Sequence, residues 1–225
     1  NELYFEIVKD QGWEELGPCV KASRSGDYVD DRISDLIDCD FRHTNIGHPT
    51  YFKKYEIDGG HTINEWGYGY KTLGQDAVVT YHPFADPDVD AIKKHPWPTI
   101  EDPARIAGLE EQVKNWHENT DYFIGTTSAV SGCMIDIGPF MRGFEDFFVD
   151  MYINKEFAHK LIGKMTDVII ELYSYYLKPI GHMVDWIEFT SDHGMQDRCL
   201  LSKDMYREFL KEPYRRLFKE VKKVA

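Results

Sequence analysis

Apolar positions along this chain recur with two periods. Phe157, Leu161, Met165, Val168, Leu172 and Tyr176 return every three or four residues, which places them on one side of a helix. That helix is predicted to run from a cap at Asn154 to about Leu177, where Pro179 and Gly181 end it. Met205, Phe209, Leu217 and Val221 repeat the signal behind Ser202, an N-cap residue, with Asp204 in the first turn. Phe140, Phe144, Phe147, Phe148 and Met151 predict a helix opening at Pro139. Ile106, Leu109, Val113 and Trp116 predict another, from Asp102 and Pro103 to about His117. Asp27 caps a short helix through Ile37, and Leu3 to Val8 reads as the end of one.

The second period is that of strands. Cys39 to Thr44, Asp121 to Thr126 and Val184 to Thr190 are short runs rich in strand-forming residues. The last is dense enough to expect burial on both faces, as in a parallel sheet. Residues 51–82 differ in character. Tyr55 to Ile57, a turn at Asp58, Gly59 and Gly60, and Thr62 to Tyr70 read as a β-hairpin, with a further strand from Ala77 to Tyr81. This is a small antiparallel insertion. His95 to Pro98 is a rigid, extended linker. Strands alternating with long helices predict an α/β fold with a parallel sheet. Three core strands fall short of the eight in a (β/α)8 barrel of roughly 250 residues. The 225 residues therefore read as one domain, 1–225, forming part of a TIM-barrel-like fold or of a doubly wound sheet.

Charge and composition narrow the function. A net charge of −13 with no basic cluster argues against a nucleic-acid partner. The apolar runs are too short for a membrane span. The four cysteines are far apart and form no CxxC pair, as expected of reduced thiols in a cytoplasmic protein. The first residue is Asn and no signal peptide follows, so upstream sequence is expected. Fourteen Tyr, thirteen Phe and five Trp suit either a pocket for a large planar ligand or a large core.

Candidate chemistry gathers where strands end, because ligands in parallel α/β proteins bind there. Asp192 follows the last predicted strand and could position a proton or hold a substrate nitrogen; the alternative is a loop carboxylate capping backbone amides. His193 lies beside it, and because adjacent strand-end residues point different ways only one of the two is expected to face a pocket. Glu188 lies inside an apolar strand, where it either faces the mouth of the sheet or pairs with a buried Arg. Thr127 and Ser128 follow the middle strand and offer hydrogen bonds to a ligand or to their own loop. Arg142 could grip a substrate carboxylate or pair with Glu145 or Asp146. Glu65 and Trp66 belong to the hairpin, read as structural, as a lid or as a dimer contact. His43 and His48 lack metal-ligand spacing.

Four stretches in order resemble the uroporphyrinogen decarboxylase superfamily, which includes cobamide-dependent methyltransferases. They are INEWGYGYK (Ile63 to Lys71), HPFADPDVDAIKKHPWPTIEDPAR (His82 to Arg105), MRGFEDFFVDMYINKEF (Met141 to Phe157), and the loop and helix from Ser191 to Leu217. The likeness spans about Asp35 to Val221. It implies a TIM barrel whose mouth takes a tetrapyrrole or a methylated small molecule. The decarboxylase's arginine-rich motif would lie before this chain, and its tyrosine-bearing loop is replaced by SAVSGCMID (Ser128 to Asp136). The methyltransferase branch is nearer. The expected activity is transfer of a methyl group between a small substrate, a cobamide and a thiol, with Asp192 and Glu188 orienting the reactants. His193, Arg142, Thr127 and Ser128 would bind substrate. The resemblance implies a corrinoid cofactor, a corrinoid-protein partner, pairing into a homodimer, and a zinc held by residues outside this chain. Tetrapyrrole decarboxylation and non-catalytic corrinoid binding are the alternatives.

Overall fold

The computed structural model describes residues 2–14, 31–50, 55–57, 61–73, 76–130 and 132–225. Asp27 and the turn at Asp58 to Gly60 lie outside the described residues. The strands form two sheets. In the first, β1 (Phe41–Thr44), β6 (Phe123–Thr126) and β7 (Trp186–Ile187) run parallel in the order β1–β6–β7. The second holds β2 (Tyr55–Ile57), β3 (His61–Ile63), β4 (Gly69–Leu73) and β5 (Asp76–Tyr81), antiparallel and in chain order. The fold is α/β, with the predicted antiparallel unit separate from the parallel sheet.

The parallel register sets Phe41 beside Phe123 and Thr44 beside Thr126. Alternate residues then face opposite ways. Arg42, Thr44, Ile124 and Thr126 are buried. Phe41, Phe123 and Trp186 on the other face are 47%, 41% and 37% exposed. Trp186 lies over Gly125, where a Cβ would come within 1.8 Å of the indole nitrogen. The expectation that the last strand is buried on both faces is therefore corrected. That strand is also shorter than its apolar run. Asp185 Oδ2 takes the Ile124 amide at 2.8 Å before the ladder begins, and the Glu188 amide reaches Thr126 Oγ1 at 3.4 Å where it stops.

Helices α4 (Leu109–Asn119), α5 (Met134–Arg142), α6 (Phe144–Ile153) and α7 (Lys155–Leu177) follow. Every residue of the predicted α7 stripe is buried, and α7 packs against α5, α6 and the carboxyl-terminal helix. Three boundaries differ from expectation. The helix expected from Asp102 to His117 is split. Asp102 caps a 3-10 turn (Pro103–Ile106), and Gly108, at φ +71°, resets the backbone before α4. The helix expected to open at Pro139 begins at Met134, because Met134, Ile135 and Ile137 all enter the core. Gly143, at φ +102°, then separates α5 from α6. Helix α3 (Val89–Lys94), capped by Asp88, was concealed within the proline-rich segment. Outside this frame, α1 (Glu2–Asp10) and α2 (Asp31–Leu36) precede β1.

The antiparallel sheet is fastened to the body. Glu65 pairs with the buried Arg105, and His95 Nε2 bonds to the Trp66 carbonyl at 2.8 Å. Trp66 is buried edge-on against Trp97 of the extended linker. These contacts make Glu65 and Trp66 anchors of the hairpin.

The carboxyl-terminal helix carries a defect. Short α8 (Lys203–Met205), capped by the Ser202 side chain, enters a π-helical turn (Tyr206–Leu210) and continues as α9 (Lys211–Val221). Pro213 supplies a cause. It has no N–H for the Phe209 carbonyl, and its ring crowds that carbonyl, so the backbone widens there. Among the described residues no helix is long and apolar enough to cross a membrane.

Candidate functional site

Parallel register brings the three strand ends level, so Asn45, Thr127 and Glu188 emerge side by side. Much of their hydrogen bonding is internal. The Thr127 amide donates to the Thr44 carbonyl at 2.9 Å, and its hydroxyl donates to Asn45 Oδ1 at 2.7 Å. Ser128 Oγ lies 2.8 Å from the Val130 carbonyl and 3.0 Å from Tyr173 Oη. Two tyrosines of α7 reach up to this rim. Tyr173 Oη donates to the Glu188 carbonyl at 2.7 Å, and Tyr176 Oη donates to the Thr44 carbonyl at 2.6 Å. Burial pushes both phenols well above their usual range, so they stay protonated as fixed donors.

A second network lies under the loop after β7, centred on Asp136 in the first turn of α5. Its Oδ1 accepts the Asp192 amide at 3.1 Å. Its Oδ2 accepts Ser191 Oγ at 2.9 Å and the Cys133 amide at 3.1 Å. Ser191 Oγ is 2.6 Å from Tyr214 Oη, and His193 Nε2 is 3.1 Å from the same phenol. With Asp136 ionised the polarity of the chain is settled. His193 donates to Tyr214, Tyr214 to Ser191, and Ser191 to the carboxylate. Burial, aided by the neighbouring Asp192 charge, raises the Asp136 pKa, while the amide and hydroxyl donors hold it down. Gly132, at φ +87°, makes room, since a Cβ there would come within 2.4 Å of Asp136.

The π turn sets the phenols. Tyr206 and Tyr214 are eight positions apart, which on a straight helix of about 100° per residue would separate them by about 80°. The extra residue in the π turn cancels most of that offset. Both rings then flank His193, with centroids at 5.9 and 5.3 Å.

The predicted residues fare differently. Asp192, exposed, and Glu188, half-buried, stand at the strand ends, and neither pairs with a Lys or Arg among the described residues. His193 joins the relay. Thr127 and Ser128 reach the rim but spend their hydroxyls on neighbours. Arg142 is spent elsewhere. It is buried and pairs with Asp150 at 2.7 Å, with Asp146 at 3.1 Å and with the Ala85 carbonyl. It leaves the far end of α5 from Asp136, so it is a core ion pair and not a hand held out to substrate. Sequence reasoning missed Asp136, Ser191, Tyr173 and Tyr214. A capping box from Cys133 to Asp136 was the available signal, faint because Cys is an uncommon cap. Cys133 itself is inert, its buried thiol pushed up to about 12. Among the described residues no group of three His, Cys, Asp or Glu could hold a metal ion.

Comparison with known proteins gives two findings. Residues 111–225, half of the chain, match the family model for uroporphyrinogen decarboxylase. A solved methyltransferase from Methanosarcina mazei is similar at 17% identity and a TM-score of 0.43, over 70% of this chain and 44% of that one. This chain thus spans less than half the length of that protein. No curated protein matches.

Proposed function

The chain belongs to the uroporphyrinogen decarboxylase family, and from that premise we propose that it is a methyltransferase moving a methyl group between a small substrate, a cobamide and a thiol. The three parallel strands are, in this reading, an arc of a (β/α)8 barrel, and the rim of Asn45, Thr127 and Glu188 belongs to its mouth. Asp192 and Glu188 orient the reactants. The Asp136 network holds the 191–194 loop that carries Asp192. The methyl donor or acceptor is a corrinoid carried by a partner protein. A corrinoid held at this mouth would supply the methyl group that the thiol takes up, with Asp192 and Glu188 orienting the two.

One observation carries the choice over tetrapyrrole decarboxylation. The charged groups at the end of β7 and around the loop that follows are carboxylates, Glu188, Asp192 and, in the first turn of α5, Asp136, without paired cations among the described residues. The buried arginines Arg42, Arg105 and Arg142 are all engaged in ion pairs. A tetrapyrrole bearing many carboxylates would meet repulsion there. The described residues do not fit zinc, and Cys133 is no thiolate at neutral pH, so no zinc-assisted step is assigned to them.

The test uses the full-length protein, methylcobalamin and 2-mercaptoethanol as acceptor, in parallel with uroporphyrinogen. The expected result is S-methylated thiol with loss of the methylcobalamin absorbance, and no carbon dioxide from uroporphyrinogen. Carbon dioxide release without methyl transfer would reinstate the decarboxylase; inertness in both assays would leave corrinoid binding without catalysis. Either result sinks the proposal.

A further inference from the structure

A cleft of about 490 Å³ lies far from the strand ends in sequence, between the antiparallel sheet and the corner where α5 meets α6. Its walls are the aromatic residues Tyr68, Tyr70, Phe140 and Phe144, with Asn64 and His82 as polar members. Three features make it a built site. First, its two sides are bolted together. His82 Nδ1 bonds to the Phe140 carbonyl at 2.8 Å, the Phe84 amide to the Met141 carbonyl at 2.9 Å, and Arg142 to the Ala85 carbonyl. Second, the β4–β5 ladder skips a residue at this place. Gly69 pairs with Tyr81 but Tyr70 with Val79, so Thr80 bulges and re-aims the strand beside the cleft. Third, the polar groups have defined polarity. A carbonyl only accepts, so His82 Nδ1 carries a proton there, and in the neutral imidazole Nε2 presents a lone pair. Asn64 Oδ1 is taken by the Trp66 amide at 3.0 Å, which leaves its NH₂ to donate.

Among the described residues no Lys, Arg, Asp or Glu lines this cleft. Its size is that of a small-molecule site, and flat aromatic walls favour a ring. A charged ligand would lose hydration without gaining a counter-charge. A neutral ring bearing a hydroxyl meets both polar members, donating to His82 Nε2 and accepting from Asn64. We propose that this cleft binds a small neutral phenol. The site is independent of the methyl-transfer reading and stands or falls without it.

The experiment titrates the full chain with phenol, toluene, benzoate and benzylamine, without cobamide, and follows binding by ligand-observed NMR. Phenol and toluene differ by one hydroxyl against one methyl. The expected result is phenol about fivefold tighter than toluene, the worth of one net hydrogen bond, with benzoate and benzylamine weaker than phenol. His82→Asn keeps a donor for the Phe140 carbonyl and removes the Nε2 acceptor, leaving only the Asn64 contact; it should reduce the preference for phenol over toluene to about twofold. Phe144, 63% exposed, can be cut to Ala without opening the core, and Phe144→Ala should weaken both ligands. Each variant's unfolding midpoint checks that it folds. Equal binding of phenol and toluene, an undiminished preference in folded His82→Asn, tighter binding of benzoate or benzylamine, or no binding at the solubility limit would each overturn the proposal.

Discussion

On one face of the parallel sheet Arg42, Thr44, Ile124 and Thr126 lie buried, while on the other Phe41, Phe123 and Trp186 stay more than a third open. Residue type alone would have reversed the two, placing threonines outside and aromatics inside. The difference teaches that burial here follows from which layer lies above a strand. The covered face holds its two threonines differently. Thr126 Oγ1 takes the Glu188 amide, whereas Thr44 Oγ1 lies buried with no hydrogen-bond partner among the described residues, and it is the backbone carbonyl of Thr44 that takes the Tyr176 phenol. Arg42 is tolerated because Asp35 and the Tyr122 ring enclose its guanidinium. The open face makes its own partial cover, with Phe41 against Phe123 at 4.9 Å and His43 edge-on to Trp186. In the barrel reading that face is the inner wall.

The sharpest way to break this contrast lies within one strand. Ile124→Ala on the covered face should cost about 2–5 kcal/mol in denaturant unfolding. Phe123→Ala, its neighbour on the open face, should cost well under half as much; equal losses would mean that both faces are packed alike. Gly132→Ala comes next, at roughly 2 kcal/mol, from a left-handed backbone and the collision with Asp136. A shift of the melting midpoint too small to measure would show that the α5 entry is looser than described. Tyr214→Phe should cost about 1 kcal/mol and speed amide exchange at 191–194, since Ser191 and His193 lose their shared partner.

The smallest effect is in pH. Asp136 binds its proton more tightly folded than unfolded, so its contribution is greatest in acid. It is lost as pH rises from the ordinary carboxylate range through the raised folded value. Asp192→Asn removes a like charge and should narrow that window; Asp136→Asn should abolish it. Stability profiles of the three proteins that overlay across weakly acidic pH would refute the assignment.

Much of the scaffold could be read from residue order. The α7 stripe, the Ser202 cap, the strands at 41–44 and 123–126 and a separate antiparallel unit all rest on local periodicity and local capping. What escaped was decided between distant segments. Core burial of Met134 and Ile135 pulled a helix start five residues ahead of Pro139, and side-chain oxygens of Asp185 and Thr126 bound β7 at its start and its end. The site divides the same way. Asp192 and His193 were visible because they follow a predicted strand, and Glu188 because a carboxylate interrupts its apolar run. Asp136 and Tyr214 were not, because they meet Ser191 from 55 and 23 positions away. Arg142 had the chemistry of a carboxylate clamp, but Asp150, eight positions on, claims it.

The widened turn at Tyr206–Leu210 makes the last helix a phase-locked part. Rewinding that turn to ordinary α geometry with all its residues kept would rotate everything beyond by about 100°. Tyr214 would leave Ser191 in the same movement that takes Leu217 and Val221 out of the interior. Deleting one residue as the turn closes would instead keep that phase, so the polar loop and the hydrophobic packing depend together on the turn's extra residue.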